Sequence, residues 1–377
     1  MLAKKTRPLA AIAIRQVEKN TGASRNAFEQ TKALSELGYN VIILAERGNR
    51  QNAKQQGAKL VKLPRWPIKG PFRRFWFNRL VKAWCKIKSP DLLISHGDAE
   101  STDVIYMHNC VHLASDRISG MLLPEKHETG SIHDYVLSKR NYNLVVANSF
   151  LMANDLRERY DIPDNKIEVI YPCYDADFFN IEKAQKYRNS ARRELNICDD
   201  KLLIGLITSG NFKKRNVSGF INICKLINEK IPHRCHFLVV GKDNMQEYQQ
   251  LATDNGIEDQ FTWRTTTHNV TKLYGALDLF LLPAHIEEFG RVALEAMACG
   301  TPTLVSSWVG ASEILEDHFK DLILEDYNSE KWAERAVSIL TSEDHKNLGK
   351  ELAILAKNHS HEKQLITLKN SFRKINT

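Results

Sequence analysis

Residues 283–305 read PAHIEEFGRVALEAMACGTPTLV, and the assignment of the fold turns on how this stretch is parsed. The apolar run DLFLLP (278–283) leads into it and TLV closes it. It therefore reads as a strand end, a short loop, a helix opening near Gly290, and the next strand. Glu287 lies in the loop and Glu295 inside the helix, so both carboxylates can face a cleft above the helix N-terminus. That terminus offers backbone N–H groups without intrahelical partners and the positive end of the dipole, which suits a diphosphate. A carboxylate accepts hydrogen bonds from hydroxyls but repels phosphate. Two carboxylates beside an anion site point to a ligand with sugars at both ends of a diphosphate, a nucleotide sugar. In isolation, two glutamates at this spacing also fit an ordinary solvated helix.

Outward from this stretch, strands and helices alternate. In the second half KLLIGLITSG (201–210), HFLVVG (236–241), FTW (261–263), DLFLLP, TPTLVS (301–306) and DLILED (321–326) read as strands. Helical patterns separate them at Val217–Asn228, near Met245–Asn255 and at Val270–Ala276. In the first half the strands are LAAIAI (9–14), NVIILAE (40–46), DLLISHG (91–97), VIYMHN (104–109), NLVVANS (143–149) and KIEVIYP (166–172). A helix is expected over Ala27–Leu37, and another runs from the strand at 143–149 through Arg159. Such alternation implies parallel sheets covered on both faces. The expected class is α/β, with two Rossmann-like doubly wound domains.

At 377 residues the chain has length for two cores. Its 43% hydrophobic and 26% charged content is ordinary for a globular protein, and no apolar run approaches the ~20 residues that span a bilayer. The N-terminal MLAKKTRPLAAIAIRQ resembles a signal peptide only weakly, because its apolar part is short and ends in Arg15 and Gln16; Leu9–Ile14 reads as a buried strand. The seven cysteines are odd in number and widely spaced, without a C-x-x-C, which fits reduced thiols in a cytoplasm better than disulfides or a zinc site. The net charge of +8 is concentrated: Arg47 to Pro90 carries 13 Lys and Arg and no Asp or Glu, so the rest of the chain is net negative. A local basic surface is a statement about partners.

With these residues in place, the chain resembles the retaining family 4 glycosyltransferases of the GT-B fold. Their donor motif is a Glu, any residue, Phe-Gly, four more residues, then Glu-Ala-Met-Ala-x-Gly-x-Pro. Glu287, Phe289, Gly290, Glu295, Ala296, Met297, Ala298, Gly300 and Pro302 match it. The resemblance implies two domains facing across a cleft. The first, an acceptor-binding domain, is 1–175 with a helix at 361–377 packing back onto it; the second, the nucleotide-sugar domain, is 176–360. YPCYDADFF (171–179) matches the family's interdomain segment at Pro172, Asp175 and Phe179, with Cys173-Tyr174 in place of Asn-Gly. The Gly-rich turn of the first domain reads Thr21-Gly22, so Gly22 is the one permissive position kept.

The resemblance also distributes roles. Glu295 would take the ribose hydroxyls and Glu287 hydroxyls of the transferred sugar. Backbone N–H groups of Phe289, Gly290, Arg291 and Val292 would touch the diphosphate, while the Phe289 ring fits core packing equally well. In SGNFKKRN (209–216), Gly210 allows a tight turn, and Lys214 and Arg215 take the places of the family's Arg and Lys that clamp the diphosphate, with the residue types exchanged and Asn216 for the usual Gly. A solvated basic turn is the plain alternative. These cations would neutralise the leaving nucleotide, so no metal or other cofactor is expected, and no Asp-x-Asp is present to hold one. VGASEIL (309–315) resembles a Gly-Gly-x-x-Glu-Ile loop, with Ala311 for the second Gly and Glu313 either structural or functional. In YMHNCVH (106–112), His108 rather than His112 is the candidate beside the reacting carbon; His96 and Asp98 could serve the acceptor. The reaction implied is transfer with retained configuration by a same-face route, which needs positioning and electrostatic stabilisation more than a strong base.

The basic stretch 64–88, PRWPIKGPFRRFWFNRLVKAWCKIK, interleaves cations with six aromatic rings. After Pro71 it can form a helix with Phe72, Phe75, Trp76 and Leu80 on one side. Such a helix suits an anionic membrane surface, a half-packed face with solvated cations, or, as the least expected partner, nucleic acid. A peripheral position on the inner face of the cytoplasmic membrane, with a lipid-linked or oligosaccharide acceptor such as a lipopolysaccharide core, follows as an expectation. A sugar-nucleotide epimerase and a non-catalytic basic binding protein are the competing readings.

Overall fold

The computed structural model describes residues 7–18, 21–267, 269–325 and 327–375. Residues 1–6 of the basic N-terminal stretch, Asp326 at the end of the expected strand 321–326 and the last two residues of the expected C-terminal helix lie outside them. The chain divides into two compact units, Met1–Pro172 with His361–Thr377 and Cys173–Ser360. The division falls three residues before the expected one after 175.

The first unit is built on β1 (Leu9–Ala13), β2 (Gln16–Val17), β3 (Asn40–Ala45), β4 (Arg47–Gly48), β5 (Ala58–Lys62), β6 (Leu92–Ser95), β7 (Val104–Tyr106), β8 (Leu144–Ala147) and β9 (Ile167–Val169). Seven of these form one parallel sheet in the order β5-β3-β1-β6-β7-β8-β9, while β2 and β4 pair apart from it. Strands of a parallel sheet are covered on both faces, and β1 and β6 are accordingly runs of buried residues rather than alternating ones. The order reverses between β1 and β6, which opens a crevice at their carboxyl ends. Strand β5 had no counterpart among the sequence expectations. Its Lys59 and Lys62 are exposed while Ala58 and Leu60 are buried, as suits an edge strand.

One expectation in this unit needs correction. The first helix is Gly22–Glu36, five residues longer at its start than expected, with Thr21 as N-cap accepting from the Ser24 amide. Gly22 is therefore helical, without the positive φ of a Gly-rich turn, and a Cβ placed on it would meet nothing within 4 Å. Buried Ser24, Asn26, Gln30 and Thr31 hide the apolar period that would have marked this helix. The basic helix Pro71–Lys88, with Pro at its first turn, buries Phe77 and Val81, which join the core beneath β1 and β3 with Leu80 and Trp84 against them. Phe72 is 56% exposed, and the buried face through Phe77 and Val81 lies beside the Phe72-Phe75-Trp76-Leu80 side. Trp66 covers part of that side, with ring centroids 4.7 Å from Phe72 and 5.5 Å from Trp76.

The second unit contains β10 (Leu202–Ile207), β11 (Cys235–Val240), β12 (Phe261–Arg264), β13 (Leu279–Leu282), β14 (Thr303–Ser306) and β15 (Ile323–Leu324), all parallel in the order β12-β11-β10-β13-β14-β15. The order reverses between β10 and β13. Both units are thus Rossmann-like. Among the described residues no helix is long and apolar enough to cross a membrane.

Candidate functional site

In the second unit the loops leaving β10, β13 and β14 meet at the carboxyl edge of the sheet, on the crevice that the order reversal creates. Backbone bonds lace them together. The His285 amide donates to the Lys214 carbonyl (3.0 Å), Glu287 to Trp308 (2.8 Å), Gly310 to Glu287 (2.9 Å) and Ala311 to Phe289 (2.6 Å). Two glycines make these turns possible. Gly290, the N-cap of helix Arg291–Ala298, has φ +88°, and a Cβ on it would lie 2.8 Å from Val309 Cγ1. Gly210 has φ +143°, and a Cβ there would lie 2.5 Å from the Lys242 carbonyl oxygen.

This framework brings distant charges together. Arg215 Nη2 pairs with Glu287 Oε2 at 2.6 Å, with 16% and 15% of the two side chains exposed. Lys214 Nζ pairs with Glu288 Oε2, and both residues are buried. Burial alone would push the Lys214 ammonium down; the Glu288 and Glu287 carboxylates outweigh it and hold its pKa above the ordinary value. Burial likewise opposes the Glu288 charge, and Lys214 outweighs it, so its carboxyl is held below the usual range. Both groups carry their charges at neutral pH. Glu288 was not among the sequence candidates. The signal lay in the matched dipeptides Lys214-Arg215 and Glu287-Glu288, which only the fold sets opposite each other.

The remaining candidates of this unit are placed as follows. Glu295 is buried one turn into the helix, where the Tyr274 hydroxyl reaches its Oε2 at 3.4 Å. Burial and then the Glu295 charge push the Cys299 thiol well up. The Phe289 ring is buried, in agreement with its packing alternative. Arg291 turns its side chain to the Cys173 carbonyl (2.6 Å) at the start of the unit, and Val292 is half-buried in the helix's first turn. Ala311 is buried and Glu313 half-buried in the 3-10 turn Gly310–Ile314.

In the first unit His108 follows β7 and His96 follows β6. Gln30 Oε1 accepts from His96 Nε2 (2.9 Å), so in the neutral ring His96 Nδ1 accepts the hydrogen bond that His108 Nε2 donates (2.6 Å). His108 Nδ1 then accepts from the Asn26 amide (3.1 Å). Both ring nitrogens of His108 are thus engaged. Burial, and then the neighbouring His108, keep the His96 pKa far below its ordinary value. Nearby at the same sheet edge, Arg15 bridges Glu46 (3.1 Å) and Glu128 (3.2 Å), and Arg74 bridges Glu128 (3.4 Å) and Asp98. His112 pairs with Asp134 at 2.9 Å. Asn26 and Gln30, four residues apart on one helix face, were missed because buried amides carry no apolar signal. Among the described residues no group of three or more His, Cys, Asp or Glu side chains is placed to hold a metal ion.

Known proteins resemble this chain in sequence and fold. The family model of glycosyl transferases group 1 matches residues 188–360, and that of glycosyltransferase family 4 matches residues 20–178. An uncharacterized glycosyltransferase of Methanocaldococcus jannaschii is 28% identical over 175 residues, covering 46% of this chain and 44% of that protein. The chain spans about half the length of the curated relatives it matches first. Among solved structures, WaaG, a glycosyltransferase involved in lipopolysaccharide biosynthesis, superposes with a TM-score of 0.79 at 18% identity, covering 98% of this chain and 99% of that one. HepE of Anabaena, in complex with UDP-glucose, gives 0.73 at 15% identity, covering 97% and 99%. Matched in both halves by adjoining family models, and with a Rossmann-like parallel-sheet unit in each, the chain belongs to the family 4 glycosyltransferases of the GT-B fold.

Proposed function

We propose that this chain is a retaining, metal-independent glycosyltransferase. It would move a sugar from a nucleoside-diphosphate sugar, a UDP-sugar by preference, to a glycan or glycolipid acceptor in the building of lipopolysaccharide or another cell-envelope polysaccharide. The observation that carries the reading is the meeting of Arg215 and Glu287 at the switch-point crevice, beside the N-terminus of helix Arg291–Ala298. Cation and helix tip suit a diphosphate, and the carboxylate suits the hydroxyls of the sugar attached to it. Glu295, further along the same helix, is assigned to the ribose. The leaving phosphate, held by Arg215 and the backbone N–H groups, would accept the proton of the attacking hydroxyl on the same face. The acceptor belongs to the first unit, with His108 as the candidate nearest the reacting carbon. HepE holding UDP-glucose supports a UDP-sugar donor, and the role of WaaG supports an envelope acceptor.

A peripheral position at the inner face of the cytoplasmic membrane rests on the basic helix Pro71–Lys88 and its surroundings. Exposed Ile68, Phe72 and Ile87 stand there among exposed Lys69, Arg79, Lys86 and Lys88. Incubation of the purified chain with UDP- and GDP-sugars tests the activity. Acceptor-dependent release of the nucleotide is expected, whereas an isomerised donor would establish an epimerase and no turnover with any donor would sink the enzymatic reading. Flotation with anionic vesicles tests the membrane reading: Arg79→Gln with Lys86→Gln and Lys88→Gln should weaken binding, and equal binding overturns it.

A further inference from the structure

The two cations expected to share the donor diphosphate stand in different surroundings. The Lys214 and Glu288 side chains are 11% and 7% exposed; those of Arg215 and Glu287, one residue along on each loop, are 16% and 15% exposed and so the less buried pair. A buried ion pair that loses one member leaves an uncompensated charge out of water, which costs several kcal/mol. Glu288 therefore cannot surrender Lys214 to an arriving phosphate. Glu287 can surrender Arg215, because its carboxylate gains sugar hydroxyls in exchange. The four side chains sum to no net charge, so among them a dianionic diphosphate gains a cation only through such an exchange.

We infer that Lys214 and Glu288 form a buried pin that fixes the loop after β10 to the loop after β13, and that Arg215 alone of the two cations reaches the diphosphate, leaving Glu287 as it does so. This deepens the proposed donor site and rests on that reading. Further structure agrees with the pin. The Lys214 amide donates to Asn211 Oδ1 (3.1 Å), the His285 amide to the Lys214 carbonyl (3.0 Å), and Asn216, in the left-handed region at φ +54°, caps the next helix through the Gly219 amide (3.0 Å). Lys214 is held at its backbone as well as its ammonium. Lys214 and Glu288 act here as positioning residues.

Calorimetric titration of the full chain with UDP tests the assignment, with folding of each variant checked by melting. Arg215→Met should weaken UDP by about tenfold or more, as loss of a charge-assisted contact does. K214M and E288Q should weaken it by similar smaller factors, and K214M/E288Q, which leaves no buried charge unpaired, should be no worse than either. The exchanged pair K214E/E288K should recover most of the affinity, and the single variants should raise the donor KM while leaving the acceptor KM unchanged. A far larger loss in K214M than in E288Q, or tighter UDP binding by E288Q, would make Lys214 a ligand and overturn the pin. No UDP or GDP binding by the unaltered chain would instead defeat the donor reading, and the inference with it.

Discussion

At the scale of single residues, Gly290 is the position where the backbone decides the site. Its φ of +88° and the 2.8 Å approach of Val309 Cγ1 exclude a side chain. Gly290→Ala should destabilise by about 1–3 kcal/mol, the usual cost of a residue held in a disfavoured region, and should weaken UDP more than its stability loss explains. Melting and titration of the same preparation check it. His133 is fully buried, and burial pushes its pKa down to about 4. The native state then binds fewer protons than the unfolded chain once pH falls below ~6.5, so the stability is present above that pH and lost on the way down to about 4. For His133 the loss reaches about 3 kcal/mol, with His96 shifted in the same direction. Melts at descending pH should show the decline, and His133→Gln should flatten it; an unchanged slope would remove His133 from the account. Glu287 was legible because its motif is local. Glu288 was not, because its meaning depends on Lys214, 74 positions away.

At the scale of elements, helix Ile181–Glu194 shows why some of the fold escaped the sequence. Its buried residues are only Ala184, Ala191 and Arg192, so it offers no apolar stripe to read. What holds it is close packing on helix Val270–Ala276, where Gly275 admits the Ala184 carbonyl, together with charge. Arg188 and Arg192 reach Asp278 at 2.5 and 3.2 Å, and the same carboxylate accepts the Leu203 amide at 2.7 Å. Asp278 precedes β13 and so stands at the amino ends of the strands, away from the crevice. Asp278→Asn leaves a buried guanidinium without its counter-charge and should cost about 3–5 kcal/mol. UDP affinity in the folded fraction should be unchanged. A selective loss of UDP binding, with stability intact, would contradict this division between the two ends of the sheet. By contrast β10, β13 and β14 were legible because apolar runs bounded by turn residues are what a doubly covered parallel strand requires.

At the scale of the whole molecule, the chain leaves the first unit at Pro172, builds the second, and returns at His361. The helix at 361–377 and its place on the first domain were assigned only by resemblance; Leu365, Leu368 and Phe372 are spaced amphipathically, but a period names no partner. In the structure helix His361–Ile375 packs on helix Gly22–Glu36 and closes the first unit's core, where Leu368 and Phe372 join Ile12, Ala33, Leu34 and Ile43. Lys369 pairs with Glu36 at 2.8 Å, and Gln364 donates to the Tyr171 carbonyl at 2.8 Å. Residues from the two ends of the sequence thus share one core, and the second unit is an insertion between them. Phe372→Ala should cost the first unit about 3–5 kcal/mol, because the ring is fully buried and rigid neighbours would leave a cavity. The second unit has its own sheet and core, so the damage should be confined. Thermal scans should separate an early transition from a later one, with UDP raising only the later transition. A single transition lowered as a whole, with UDP shifting all of it, would mean that the two units unfold as one and that the insertion is not energetically independent.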